Sequence, residues 1–403
     1  MIEKVEKAHF EDYLLMFLLL FVSGNPAVRY LEPYQFLLIM LIEIVVWGRK
    51  ISSVSWRKAL RWSLFLLVIF IGQYLTLHKI GVLASANYIF KILVAIFAAG
   101  ILKEKFSYVY LRVISVLSVI ALLLWGINFF GIHIPSLMYF ENYTDSLIIY
   151  TQQTSGVVFS RDGILRNAGM FWEPGAYAGY IMVAFFLYIN RLEYMWSKHR
   201  KDVVILLAAL ITTFSTTGYI ILAIVVLLFF NNRVKNRVAF FVVASIALVG
   251  IIYAYSALDF MGDKMQEQYE NALTMDKYDV NFSRMGALLF DWQYIQMHPI
   301  FGNGLLNETR FSQHISFAEN LQAFGNGFSG EIAYFGIPFM LVFLYMIFKN
   351  PTLQPKMRWP FLVLFILQMQ GEYFMNYPLF LVFPFVYFFN EPERSVNANL
   401  QTS

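Results

Sequence analysis

The sequence predicts an all-α polytopic membrane protein, and three observations carry that prediction. Of its 403 residues, 59% are hydrophobic and only 14% are charged, whereas soluble domains carry about 25% charged residues. Such an excess of apolar side chains is buried only where lipid acts as the solvent. Long apolar runs also recur along the chain at close to the ~20 residues that a bilayer requires. Finally, lysines and arginines collect in alternate loops, the mark of a chain that crosses repeatedly.

Twelve candidate spans follow, at roughly 12–29, 32–47, 60–77, 80–102, 109–130, 175–190, 202–214, 217–230, 238–257, 331–348, 359–371 and 377–390. The first apolar run, Tyr13 to Val22, follows a mixed-charge start and has no small-residue cleavage site, so it reads as a retained helix. The seventh and eighth spans are short and joined by Ser215-Thr-Thr-Gly218. Interrupted helices of this kind form where backbone lines a cavity inside protein. The whole chain, 1–403, reads as one integral membrane domain.

Most of the 30 lysines and arginines fall on one side. They are Lys4 and Lys7, the run from Arg49 to Arg61, Lys103 to Arg112, Arg191 to Lys201, Arg233 to Arg237, Lys349 to Arg358, and Arg394. The positive-inside rule makes that side cytoplasmic, with both termini there. Two long loops then lie outside, at 131–174 and 258–330. Connections longer than about 15 residues are uncommon unless functional or disordered. Both contain aromatics and no low-complexity tract, so they are expected to fold onto the membrane domain, with short helices inside them.

In the second loop, Ser283 suits the cap of a helix whose apolar positions are Met285, Leu288, Leu289, Trp292 and Ile295. Arg284 then lies in its first turn and Asp291 two turns on, along the same side. His298-Pro299 ends the helix, and Phe301-Gly-Asn-Gly304 makes a turn. A further short helix is expected at about 313–324, stopped by Gly325-Asn-Gly327. The aromatics from Phe260 to Phe328 suit stacking on the apolar faces of sugars. Seating at the membrane interface explains them equally well.

The first loop ends in Arg166-Asn-Ala-Gly-Met-Phe-Trp-Glu-Pro-Gly-Ala-Tyr-Ala-Gly179. Arg161 and Arg166 are its only basic residues, and an arginine offers a phosphate two donors in a fixed fork. Gly169, Gly175 and Gly179 permit close backbone approach, and Pro174 suits a first helical turn. Glu173 at that helix start is favoured as a carboxylate by the helix dipole, in position to take a proton from a sugar hydroxyl. An interfacial Arg–Glu pair that merely fixes the loop is the competing role. Asp-x-Asp and P-loop patterns are absent, so neither a metal–nucleotide clamp nor ATP drive is expected. The six histidines show no ligand-like spacing, so no metal site is expected. No cofactor and no nucleic acid is implied, and the absence of cysteine excludes disulfides and thiolate chemistry.

The order of features resembles the O-antigen polymerase (Wzy) and O-antigen ligase superfamily of bacterial envelope glycan assembly. The residues carrying it are Arg166-x-x-Gly-x-Phe-x-Glu-Pro-Gly175, the break at Thr213-Phe-Ser-Thr-Thr-Gly218, Ser283-Arg284, His298-Pro-Ile-Phe-Gly-Asn-Gly304, and Gly336 inside an apolar helix. The resemblance covers roughly 160–345 and implies a GT-C-like, metal-independent, inverting glycosyltransferase at the periplasmic face of the inner membrane. It implies undecaprenyl-pyrophosphate-linked glycans as donor and acceptor, with membrane lipids around them and a chain-length regulator as a further partner. Family arginines that engage pyrophosphate fall on Arg166 and Arg284. Arg161, His298, Asn303 and Asn326 complete the expected substrate-binding set, and Glu173, His314 and Glu331 are the candidate general bases. The ligases carry a His-Asn pair where this chain has Gly325-Asn326, which favours polymerase over ligase. A lipid-linked oligosaccharide flippase is the rival from another class. It would place ionisable residues deep in its helices, where Glu43 and Lys91 are the clearest examples.

Overall fold

The computed structural model describes residues 8–132, 134–135, 137–140, 144–152, 160–161, 164–233, 284–312, 326–350 and 353–386. Helices dominate, consistent with an all-α membrane protein. They are α1 (Phe10–Gly24), α2 (Gln35–Trp47), α3 (Ser53–Leu77), α4 (Val82–Leu102), α5 (Phe106–Phe129), α6 (Pro174–Leu187), α7 (Leu192–Lys198), α8 (Arg200–Thr212) and α9 (Thr216–Arg233). After the undescribed 234–283 come α10 (Arg284–Met297), α11 (Asn307–Arg310), α12 (Gly327–Phe335), α13 (Ile337–Phe348), α14 (Arg358–Gly371) and α15 (Pro378–Leu381). Among the described residues, Ser53–Leu77 and the α4–α5 stretch Val82–Phe129 are long and apolar enough to cross a membrane. Pro174–Leu187, Thr216–Phe230 and Ile337–Phe348 are shorter apolar helices.

The α3 helix shows what surrounds the molecule. Ala59, Trp62, Leu66, Ile69 and Phe70 are buried, while Leu60, Leu64, Leu67, Val68, Ile71 and Leu75 are exposed. An apolar stripe at helical spacing that touches no protein is the face a lipid solvent calls for. By contrast α6, at 14 residues, is about 21 Å long against a hydrocarbon core of about 30 Å. Every residue of it from Ala176 to Leu187 is buried, so α6 is the sheltered centre around which α5, α8, α9 and α14 pack.

Contacts at the helix ends fall into two groups. On one side Lys50 pairs with Glu11 at 2.7 Å, Lys105 with Asp12 at 3.3 Å and Arg112 with Asp202 at 3.0 Å. The Gln354 amide donates to Asn190 on that side. On the other, Asn25 donates to the Ile148 and Met170 carbonyls, Trp125 to Leu165, and Lys79 pairs with Glu308 at 2.7 Å.

Three expectations need correction. The first outside loop is built from short strands where it is described, not from short helices. Met138–Phe140, Thr144–Ser146 and Thr151–Gln152 form an antiparallel sheet in that order, and Ser160–Arg161 pairs with Ile164–Leu165. Its aromatic and Thr content favours strands. The 331–348 span is two helices, α12 and α13, broken at Gly336. That residue has φ of 85°, and a Cβ there would lie 2.5 Å from the Ile300 carbonyl carbon. Finally, among its described residues the 377–390 span is helical only over α15, after which hydrogen-bonded turns run through Val386; 387–390 lie outside the described residues. The span expected at 238–257 and the helix at 313–324 lie outside the described residues.

Candidate functional site

The Arg166–Gly179 stretch meets the end of α8 first. Helix α8 stops at Thr212, and Phe214 sits in the left-handed region with φ of 48°. Its last carbonyls need donors. Asn167 supplies its backbone N–H to Thr212 at 2.9 Å, and Arg166 supplies Nε to the Thr213 carbonyl at 3.1 Å and Nη2 to Phe214 at 3.3 Å. The Tyr219 hydroxyl donates to Ile211 at 2.6 Å. A cation over a helix C-terminus is electrostatically favoured, so the broken helix and the half-buried arginine explain each other.

The stretch then packs across α6 onto the segment after α14. The Phe171 ring stacks on Tyr180 at 4.0 Å between centroids, and Trp172 on Tyr377 at 4.6 Å. Phe374 lies over Gly179, where a Cβ would come within 2.8 Å of its Cε1. Glu173 is the N-cap residue of α6 but its side chain makes no capping bond; it is half-buried. The gap left by Gly175 shows where its carboxylate points. A Cβ built there would lie 3.0 Å from Glu173 Oε1 and 2.9 Å from Glu372 Oε1, so the two carboxylates bracket one point. Arg29, Glu32, Glu173 and Glu372 are all close enough to act on the Tyr377 hydroxyl. Glu372 was not singled out from the sequence. The signal present was a carboxylate directly after Gly371 at the C-terminal end of an apolar helix.

The turn that follows Glu372 joins a buried polar cluster. Glu331 is fully buried, and its Oε1 accepts from the Tyr88 hydroxyl. Its Oε2 accepts from the Tyr373 hydroxyl at 3.1 Å. Lys91, read from the sequence as an ionisable residue inside a helix, donates to Asn376 at 2.6 Å, lies 4.4 Å above the Tyr88 ring, and is near enough to act on the Glu331 charge. The cluster ties α4 and α12 to the 372–376 turn. Both Glu331 oxygens are thus engaged by phenols, which sets it apart from the half-exposed Glu173.

A second buried pair holds the segment from α10 to α12. Asp291 of α10 pairs with Arg310 and accepts from the Ser329 hydroxyl at 2.5 Å. Burial pushes the Asp291 carboxyl up, while Arg310 and Ser329 pull it back. The Arg310 guanidinium lies over the rings of Tyr294, Phe311 and Tyr334 at 5.2, 5.0 and 5.1 Å.

Asn303 and Asn326 are placed as framework residues. Asn303 Nδ2 donates to the Tyr294 and Ala333 carbonyls at 2.9 and 3.0 Å, which joins α10 to α12. Asn326 Oδ1 caps α12 by accepting from Phe328 at 3.2 Å and Ser329 at 3.1 Å. His298 follows α10, with its ring half-buried and its pKa held below the ordinary imidazole value by desolvation. Arg284 opens α10 and Arg161 lies in the short hairpin, with side chains outside the described set. His314 and Gly325 also lie outside the described residues. The structure therefore brings the Glu173 and Glu372 carboxylates together beside Gly175, holds Arg166 at the end of α8, and joins Glu331 through Tyr373 to the turn that follows Glu372.

Residues 203–330 match a family model described as O-antigen ligase. No curated protein and no solved structure matches the chain.

Proposed function

We propose, starting from the membership of the O-antigen polymerase and ligase superfamily that the 203–330 match supports, that this protein joins lipid-linked repeat units into a surface polysaccharide. The donor and acceptor in this reading are both oligosaccharides on undecaprenyl pyrophosphate, met at the periplasmic face of the bacterial inner membrane. The acceptor hydroxyl oxygen attacks the donor's anomeric carbon from the face opposite the leaving group. The bond from that carbon to pyrophosphate breaks, with its electron pair passing to the phosphate oxygen, and the hydroxyl proton passes to Glu173. The configuration inverts and lipid pyrophosphate leaves.

The observation that carries the reading is the half-exposed Glu173 carboxylate beside Gly175 on the side predicted to face outward. A positioned base of this kind contributes typically about 10² to 10⁴ in rate. Arg166, preset by the α8 carbonyls, and Arg284 at the start of α10 are assigned to the charge that grows on the leaving pyrophosphate, where fixed donors are most effective. Arg161, His298 and His314 are assigned to the surrounding substrate surface. Asn303 and Asn326 hold the loop that presents it, and Glu331 supports the site through Tyr373. Attachment of finished glycan to a lipid A core is the second reading, favoured by the description of the matching family model and disfavoured by glycine at position 325.

The test is a host strain whose own polymer depends on this chain, carrying Glu173→Gln, Arg166→Ala or Arg284→Ala. Each variant is expected to leave single-repeat glycan in place of long chains at unchanged protein level. Full-length polymer from both Glu173→Gln and Arg284→Ala would remove the proposed chemistry.

A further inference from the structure

We infer that Glu372 is a second functional carboxylate of this site, one that binds the acceptor sugar opposite Glu173, and that the buried Lys91–Glu331 cluster exists to hold it there. The inference rests on the glycosyl-transfer reading above and adds to it the group that orients the acceptor.

Three observations lead to it. First, Glu173 and Glu372 come from distant parts of the chain, yet their Oε1 atoms lie 3.0 and 2.9 Å from one point, the position of a Cβ that Gly175 lacks. An α-helical first turn has no need of glycine, and Ala there would be the better helix former. The missing methyl lets both carboxylate tips approach the α6 backbone at the same point. Second, the turn carrying Glu372 is fixed from every side. Gly327 lets α12 approach so closely that a Cβ there would lie 2.5 Å from the Glu372 carbonyl oxygen. Tyr373 donates to Glu331, Lys91 donates to Asn376, and the Phe374 ring fills the Gly179 gap. Third, a buried lysine and glutamate are costly to keep in an apolar interior unless their hydrogen bonds are satisfied. Hydrophobic packing would hold a purely structural turn at lower cost.

The chemistry follows from the pair. A sugar presents neighbouring hydroxyls, and one carboxylate has to take the proton of the reacting hydroxyl at the right moment. A second carboxylate that accepts from an adjacent hydroxyl fixes which hydroxyl faces the base. The stacked Trp172–Tyr377 rings lie beside them and offer an apolar surface to the ring carbons. Glu32 and Arg29 also lie near enough to act on the Tyr377 hydroxyl. In this arrangement Glu331, Tyr373 and Lys91 are positioning residues that act through Glu372.

The test uses purified full-length protein in detergent, a lipid-pyrophosphate-linked repeat unit as donor, and the same repeat unit blocked at its reducing end as an acceptor that cannot donate. Glu372→Gln is expected to raise the acceptor KM by about tenfold or more, the scale of a lost hydrogen bond to a charged group, with donor KM and thermal midpoint unchanged. Glu372→Asp should recover part of the loss. Should Glu372→Gln fail to fold, Gly175→Ala carries the test. Its methyl meets only the tips of two flexible side chains, so it should fold as well as wild type and still lose acceptor affinity. An acceptor KM within about twofold of wild type in the folded variant overturns the inference while the wild-type activity stands. A wild-type protein that extends no acceptor overturns the glycosyl-transfer reading itself, and the inference with it.

Discussion

Replacing Gly179 by Ala puts the packing of the site to a quantitative test. Gly179 lies inside α6, and a Cβ added there would come within 2.5 Å of Gln368 Nε2 and 2.8 Å of Phe374 Cε1, with the ring tip closer still. Helix propensity alone makes the change favourable by about 0.5–1 kcal/mol. Overpacking a filled interior costs about 1–3 kcal/mol. The clash wins because Phe374 is fully buried and tilted against the Phe380 ring at 4.3 Å, with no solvent side to move toward. The expected net loss is about 1 kcal/mol, read as a lower thermal midpoint of the purified protein in detergent. Activity should fall further than stability, because Phe374 belongs to the turn that carries Glu372. Phe374→Leu in the same chain relieves the clash, so the double variant should be more stable than the sum of the two single changes. Gly179→Ala at or above wild-type stability, or strict additivity with Phe374→Leu, would refute the assignment of that gap.

Two more predictions come from other parts of the molecule. Arg310→Ala leaves Asp291 buried without its cation and should cost about 3–5 kcal/mol, whereas Asp291→Leu combined with Arg310→Met should cost far less; denaturation of both variants in detergent decides, and equal losses would contradict the pairing. Single cysteines at 195 and 270, in a chain with none of its own, should differ in intact cells, with 270 labelled by an impermeant thiol reagent and 195 silent. The reverse pattern would invert the orientation.

Much of the architecture was legible because lipid leaves a coarse signature. Apolar length marked α2, α3, α4 and α5, whose ends are joined by Lys50–Glu11, Arg112–Asp202 and Lys79–Glu308. What hydropathy cannot read is backbone direction. Gly336 looked like an ordinary small residue in a continuous span, yet its positive φ and contact with the Ile300 backbone divide that span in two. The strands between Met138 and Leu165 escaped notice because two- and three-residue strands hold too few alternations to register a period.

At the site, sequence proximity favoured Arg166 and Glu173, which share one motif. Their surroundings come from far along the chain. Thr213 and Phe214 receive Arg166, and Glu372 faces Glu173 only because α6 and α14 pack together. Spacing within a motif carries no trace of such a partner. Asn326 looked like a substrate ligand by its alignment with a family pair, and the structure gives it the separate task of capping α12.

The most direct measurement supplies purified protein in detergent with lipid-pyrophosphate-linked repeat units alone, in the presence of a chelator and without nucleotide or core lipid. Each unit then serves as donor and acceptor, and the pyrophosphate linkage holds the bond energy. The account predicts a ladder of lengthened lipid-linked glycans, slowed strongly by Glu173→Gln. Product that forms only after core lipid is added, or only with a divalent ion, would contradict it.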